Sequence, residues 1–218
     1  MSLLKPVTLP GIDTYAGRHS SLGPSSLARL SQDTGTMLGE PDLVSGHIVG
    51  GLLRTLVHVL RPRLVVDIGT FTGYSALSLA ATLPPGGRVI TCEVDPERAA
   101  EARRNITASP YADRVTVRLG PALETLGELE DPLDLVFIDA DKPNYHAYFL
   151  AVLPRLADHG LIVCDNTLWR GDVLDEATDD TDARAIRAFN DAVSADPRVE
   201  CVLLSVRDGV TLIRKATA

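Results

Sequence analysis

Apolar residues recur every four positions at Ile48, Leu52, Leu56 and Leu60. That single stripe predicts an amphipathic helix, which Pro62 closes. Beyond it the period changes. Nearly unbroken apolar runs at residues 63–69 (RLVVDIG), 87–95 (GRVITCEVD), 114–120 (RVTVRLG), 133–139 (LDLVFID) and 161–166 (LIVCDN) predict strands buried on both faces. Between them, helical patterns occupy 73–83, 96–106, 122–129, 145–160 and 181–196. Asp95 is the expected N-cap of the second of these, with Pro96 at its first position. Gly160 is the expected end of the fourth. Two further strand patterns within 199–215 flank Asp208-Gly209, a hairpin signal.

Strand and helix therefore alternate. This predicts an α/β fold: a doubly wound, Rossmann-like, mostly parallel sheet of seven strands with helices on both faces. The last hairpin adds one antiparallel strand. Residues 1–42 scatter Gly, Pro, Ser and Thr around one weak helical pattern, SSLARLSQDTG. They are expected to form an extension packing onto the main domain, residues 43–218, near its active site.

Composition narrows the class. The 218 residues carry a net charge of −8, which argues against a general nucleic-acid binder. No stretch is apolar for long enough to span a membrane, and the first residues lack a secretory pattern. Cys92, Cys164 and Cys201 fit neither a zinc site nor a disulfide framework by spacing. They read as small buried hydrophobes of a cytoplasmic protein.

The chemistry collects at strand ends. VVDIGTFTGYS joins the first strand to its helix, where nucleotide-like ligands bind in open α/β sheets. Gly69 and Gly73 are spaced G-x-x-x-G, with Phe71 where a dinucleotide fingerprint needs glycine, and no G-K-[ST] follows. Asp67 would repel a pyrophosphate but suits a ligand carrying positive charge, such as S-adenosylmethionine. Glu93, ending the second strand, is placed to accept both hydroxyls of a ribose. Helix and loop capping is the competing reading for either acid alone.

The fourth strand ends in Asp139 and the fifth in Asp165-Asn166. Oxygens converging from two buried strands are costly without a partner. A divalent cation, Mg²⁺ with Mn²⁺ or Ca²⁺ as substitutes, suits an all-oxygen set. Loop carboxylates bonded to backbone N–H groups are the plain alternative. Lys142 follows three residues after Asp139; a nearby dication favours a neutral amine, so Lys142 is a candidate general base. Its plain reading is a solvated loop lysine or an ion-pair partner of Asp141. His146 reads as a helix-surface residue, and His47 as a residue lining the cofactor pocket.

DIGTFTGYSALSLA, CEVD, LGPALETL, VFIDADKPNYHAYF, CDNTLWRGDV and DGVTLIRK together resemble the cation-dependent, S-adenosylmethionine-using O-methyltransferases. That family includes the plant caffeoyl-CoA O-methyltransferases, bacterial relatives and, more distantly, catechol O-methyltransferase. The resemblance runs over residues 43–215 and implies the class I methyltransferase fold. By position it implies cofactor contacts from Ser45, Asp67, Gly69, Thr70, Tyr74, Ser75, Glu93, Ala122, Asp139, Asp141 and Tyr148. It implies cation ligation by Asp139, Asp165 and Asn166, a general base in Lys142, and acceptor contacts from Trp169 and Arg170. LVSGHIVG departs from the family's usual Met-x-Val-x-Pro-Glu-x-Gly, and residues 1–42 do not match the plant enzymes. Acceptor identity therefore does not transfer. The implied partners are a small-molecule acceptor and a second copy in a homodimer.

The expected reaction is methyl transfer to one hydroxyl of a catechol-like diol. The nearest alternative keeps the machinery and changes the acceptor to a hydroxy acid or carrier-bound hydroxyl. A nicotinamide oxidoreductase is disfavoured by the missing glycine pattern. A non-catalytic cofactor-binding protein is disfavoured because Lys142 and all three ligand positions are present.

Overall fold

The computed structural model describes residue 9 and residues 11–38, 46–129 and 132–217. Helices α1 (Ile12–Arg18), α2 (Ser25–Leu38) and α3 (Gly46–Leu60) precede the first strand. Then β1 (Leu64–Ile68), α4 (Tyr74–Ala80), β2 (Arg88–Glu93), α5 (Pro96–Thr107), β3 (Val115–Leu119), α6 (Ala122–Glu128), β4 (Leu133–Ile138) and α7 (Tyr145–Val152) alternate. β5 (Leu156–Asp165), α8 (Thr181–Ala195), β6 (Val199–Leu204) and β7 (Val210–Lys215) complete the fold. No helix among the described residues is long and apolar enough to cross a membrane.

The seven strands lie in the order β3-β2-β1-β4-β5-β7-β6, and only β7 runs antiparallel to its neighbours. Chain direction across the sheet reverses between β1 and β4, which pair in parallel with Val66 opposite Val136. A crevice opens at such a switch point, outside the carboxyl ends of the strands.

Successive side chains of β1 and β4 serve opposite faces. Val66, Ile68, Val136 and Ile138 meet α6, α7 and α8 through Leu126, Phe149, Phe189 and Val193. Val65, Leu135 and Phe137 meet α2, α3, α4 and α5 through Leu27, Leu53, Leu79 and Ile106. Each such fully buried Leu, Ile or Phe contributes about 1.5–3 kcal/mol. α2 is part of this core: Leu27 is fully buried, and Thr34 Oγ1 donates to Thr72 Oγ1 at 3.2 Å, beside the loop after β1.

Three expectations need correction. The helix read over 145–160 stops at Val152, a tight turn spans Leu153–Arg155, and β5 begins at Leu156. Pro154 accounts for this: it lacks an N–H, and its ring clashes with a preceding helical carbonyl. Gly160 lies inside β5 at an irregularity, where the register against β4 jumps from Leu133↔Leu156 to Leu135↔Leu161. A Cβ there would sit 2.8 Å from Leu156 Cγ, so the backbone folds over its own leucine. The terminal hairpin forms, but residues 205–209 connect it rather than a two-residue turn. Finally, β3 and β6 are edge strands with exposed positions, and Cys201 on β6 is exposed, whereas Cys92 and Cys164 are buried.

Candidate active site

The loop after β1 is shaped by its neighbours. Gly69 and Thr70 both donate their N–H to the Cys92 carbonyl at 3.1 Å, so the loop folds toward β2. Gly69 has φ 104°, and a Cβ on it would lie 2.0 Å from the Asp139 carbonyl oxygen. Only glycine lets the ends of β1 and β4 approach this closely. Gly73, at φ 91°, sits at the N-cap of α4.

Asp67, on β1, is fully buried. Its Oδ2 accepts from Thr91 Oγ1 at 2.6 Å and from Ser75 Oγ at 3.1 Å, and Thr91 Oγ1 also lies 2.6 Å from Thr70 Oγ1. Its Oδ1 is buried with no hydrogen-bond partner among the described residues. Burial, opposed by the two hydroxyls and aided by the charges of Asp139 and Glu93, pushes this carboxyl up to about 7. An unpaired buried acceptor of this kind costs about 1–3 kcal/mol. A ligand bringing positive charge or an N–H donor to this end of β1 would relieve it.

Glu93 Oε2 accepts the Phe71 N–H at 2.8 Å, and Oε1 accepts those of Val94 and Asp95 at 3.0 and 3.1 Å. The carboxylate thus shapes the loop, the competing role considered for it. A carboxylate offers about four acceptor sites, so three such bonds still leave room for a ligand hydroxyl. Tyr148 Oη donates to Asp141 Oδ1 at 2.6 Å, and Asn144 Nδ2 donates to Asp141 Oδ2. Ala122 is the buried first residue of α6.

The second cluster forms where β4 and β5 end side by side. Lys142 Nζ, only 7% exposed, donates to Asp139 Oδ1 at 3.2 Å, Asn166 Oδ1 at 3.0 Å and Tyr145 Oη at 2.6 Å. Asp165 is 3% exposed; burial first and the nearby Asp139 charge second push its carboxyl up to about 7. The Asn166 N–H and Lys142 oppose that shift, and Asp208 adds to it. Asn166 sits at φ 57°, a left-handed conformation that asparagine tolerates and that turns its side chain back toward β4. Two crowded carboxylates and a carboxamide oxygen are the donor set a hard divalent cation accepts. Among the described residues no group of three or more His, Cys, Asp and Glu gathers as a metal site, here or elsewhere, so a cation at this place would depend on the Asn166 carboxamide beside the two carboxylates.

Trp169 and Arg170 border this cluster at φ 43° and 58°. The Trp169 ring centroid lies 5.6 Å from Lys142 Nζ, and its Nε1 donates to Asp180 Oδ2 at 3.2 Å. Arg170 N donates to Asp208 Oδ1 at 2.5 Å, and Leu168 N donates to the Asp208 carbonyl at 2.9 Å. The hairpin loop thereby clamps the segment after β5. Burial raises the Asp208 carboxyl, against the hydrogen bonds from Arg170 and the Asn166 side chain.

Not every candidate converges. The Tyr74 ring packs on the α3 side of the sheet, and a Cβ on Gly50 of α3 would lie 2.8 Å from its hydroxyl. His47 Nε2 lies 3.0 Å from the Gly17 carbonyl and lines a hollow against α1. His146 is exposed. Ser45 lies outside the described residues. Three participants were not singled out by sequence: Thr91, Tyr145 and Asp208. Thr91 had a usable signal, a hydroxyl two positions before Glu93 in an otherwise apolar strand; Asp208 was absorbed by its turn role.

The O-methyltransferase family model matches residues 18–216. Catechol O-methyltransferase domain-containing protein 1 of Mus musculus is 38% identical over 75% of this chain, which spans 64% of that protein's length. Caffeoyl-CoA O-methyltransferase 1 of Eucalyptus globulus is 31% identical over 93% of this chain and 96% of its own. The crystal structure of an O-methyltransferase from Bacillus cereus in complex with S-adenosylhomocysteine (SAH) superposes with a TM-score of 0.83. It is 33% identical and covers 94% of this chain and 97% of that one. On the family match and these identities, the chain belongs to the O-methyltransferase family, S-adenosylmethionine-dependent enzymes of the catechol and caffeoyl-CoA type.

Proposed function

We propose that this chain methylates one hydroxyl of a catechol-like vicinal diol, using S-adenosylmethionine and a divalent cation, Mg²⁺ or in its place Mn²⁺ or Ca²⁺. One observation carries the reading: Lys142 Nζ is pinned between Asp139 Oδ1 and Asn166 Oδ1 where β4 and β5 end, with the crowded Asp165 beside them. Asp139, Asp165 and Asn166 would hold the cation, whose chemistry is to lower the pKa of a neighbouring hydroxyl. Asp67, Gly69, Thr70, Ser75, Glu93, Ala122, Asp141 and Tyr148, at the carboxyl ends of β1 to β4 and in the loops and helices that follow them, would hold S-adenosylmethionine, the source of an electrophilic methyl. Support comes from the unpaired Asp67 Oδ1 and from the Bacillus cereus relative described with SAH.

The chain's own residues then do three things. Lys142 takes or steers the proton of the acceptor hydroxyl at Nζ. The Trp169 ring covers the flank of that position and, with Arg170, limits what the acceptor presents. The abutting ends of β1 and β4 hold the two reactants in one crevice, and such positioning supplies much of the rate gain in a two-substrate transfer. That the protein works in the cytoplasm as a homodimer belongs to this proposal and rests on cysteine usage and the family resemblance.

Two adjacent oxygens are needed to chelate a cation, so the acceptor panel discriminates. Labelled methyl transfer with Mg²⁺ is expected to be at least about 100-fold more efficient, as kcat/KM, for catechols than for the matching monophenols. Equal rates for both would reject the diol reading and leave a lone hydroxyl as acceptor.

A further inference from the structure

We propose that Tyr145 is a positioning residue that fixes Lys142 Nζ at the ends of β4 and β5. The inference rests on the reading of Lys142 as the group that handles the acceptor's proton. A lysine head sits on a flexible four-carbon stem and ordinarily reaches for water. Here it is folded back and buried. The fold-back is local: Lys142–Asn144 form a 3₁₀ turn with Pro143 inside it, and residues three apart in such a turn eclipse one another. Lys142 and Tyr145 are three apart, and their bond, at 2.6 Å, is the shortest of the three that Nζ makes.

The other two acceptors have a competing duty. Asp139 and Asn166 are the oxygens offered to the cation, so a cation draws on the same atoms that hold Nζ. Tyr145 alone among the three partners is not a candidate ligand. Its oxygen is held from both strands: the hydroxyl lies 3.0 Å from the Asp165 carbonyl and 3.3 Å from the Ile138 carbonyl, the peptide groups adjoining Asn166 and Asp139. Its ring is fully buried and packs edge-on against Phe189, with centroids 5.6 Å apart. Satisfying a buried phenol needs only one carbonyl acceptor. Here two carbonyls locate the oxygen, and the lysine takes its remaining capacity.

The test is Tyr145→Phe, which keeps the ring and removes the oxygen, alone and combined with Lys142→Met. The single variant is expected to lose about 10- to 100-fold in kcat, the scale of a misplaced reacting group, with SAH affinity and melting temperature close to wild type. In the Lys142→Met background it is expected to cost nothing further, because the position it fixes is no longer used. Independently of turnover, acylation of Lys142 by a mild anhydride in the cofactor-free protein, mapped by mass spectrometry, is expected to run severalfold faster in Tyr145→Phe. A Tyr145→Phe enzyme with wild-type kcat beside an inactive Lys142→Met enzyme overturns this inference alone. An equal loss in both backgrounds overturns it too, since Tyr145 is then only structural. Wild-type kcat in Lys142→Met overturns the lysine reading itself, and the inference with it.

Discussion

Lys142→Met is expected to lower kcat by about 10²- to 10⁴-fold, the range a positioned general base supplies. Methionine keeps an unbranched stem of similar length and removes only the charged, hydrogen-bonding head, so the buried position stays filled. SAH affinity should be nearly unchanged, because Nζ touches Asp139, Asn166 and Tyr145 and none of the polar groups around the β1 loop. The Mg²⁺ requirement should not rise, since removing the ammonium releases oxygens of Asp139 and Asn166 and takes a positive charge away from the place where a dication would sit. Single-turnover methyl transfer with a Mg²⁺ titration separates these quantities. A variant that keeps kcat within tenfold of wild type removes Lys142 from the chemistry. A raised Mg²⁺ requirement at unchanged saturating rate would make it a structural partner of the ligand cluster instead.

Asp139→Ala is expected to do the opposite in one respect and the same in another. It removes one anionic ligand, so the Mg²⁺ concentration giving half-maximal rate should rise by at least about 10- to 100-fold, the scale of even an outer-shell ligand loss. It also strips Lys142 of one of three acceptors, so kcat at saturating cation should fall as well. The neighbouring carboxylate reports on the same change. Asp139 is the second cause, after burial, of the upward shift of Asp165 to about 7. Without that like charge, the Asp165 carboxyl should titrate lower, observable by NMR of the labelled carboxyl in the cation-free protein. Unchanged Mg²⁺ dependence in Asp139→Ala contradicts the assignment of this aspartate as a ligand.

Much of this site was legible because it sits where strands end. Unbroken apolar runs marked β1, β2, β4 and β5, and the first polar residues after such runs fall at one edge of a parallel sheet. Asp67, Glu93, Asp139, Asp165 and Asn166 were found this way. The glycine spacing excluded a dinucleotide loop, and the structure supplies the reason for Gly69: the Asp139 carbonyl occupies the space a side chain would need. What was misread depended on contacts remote in sequence or on backbone chemistry overriding pattern. The apolar positions after Val152 continue a helical period, yet Pro154 ends the helix and hands those residues to β5. Cys201 lies in an apolar run, but β6 is an edge strand, and edge status follows from sheet order rather than composition. Asp208 looked complete as a turn residue; only the fold brings it to Asn166 and the Arg170 amide. Tyr145 looked like one more aromatic on a helix, and its role follows from β4 and β5 lying side by side.

The central claim is that the oxygens ending β4 and β5 serve a divalent cation that the reaction requires. Its most direct test is methyl transfer from labelled S-adenosylmethionine to catechol by the wild-type protein, first with Mg²⁺, then with excess EDTA, then with Mg²⁺ restored. The account predicts that product formation collapses to background in EDTA and returns with Mg²⁺, while SAH still binds in EDTA. Methyl transfer that continues undiminished in EDTA would contradict it, leaving Asp139 and Asn166 as partners of Lys142 and Asp165 as the acceptor of the Asn166 N–H.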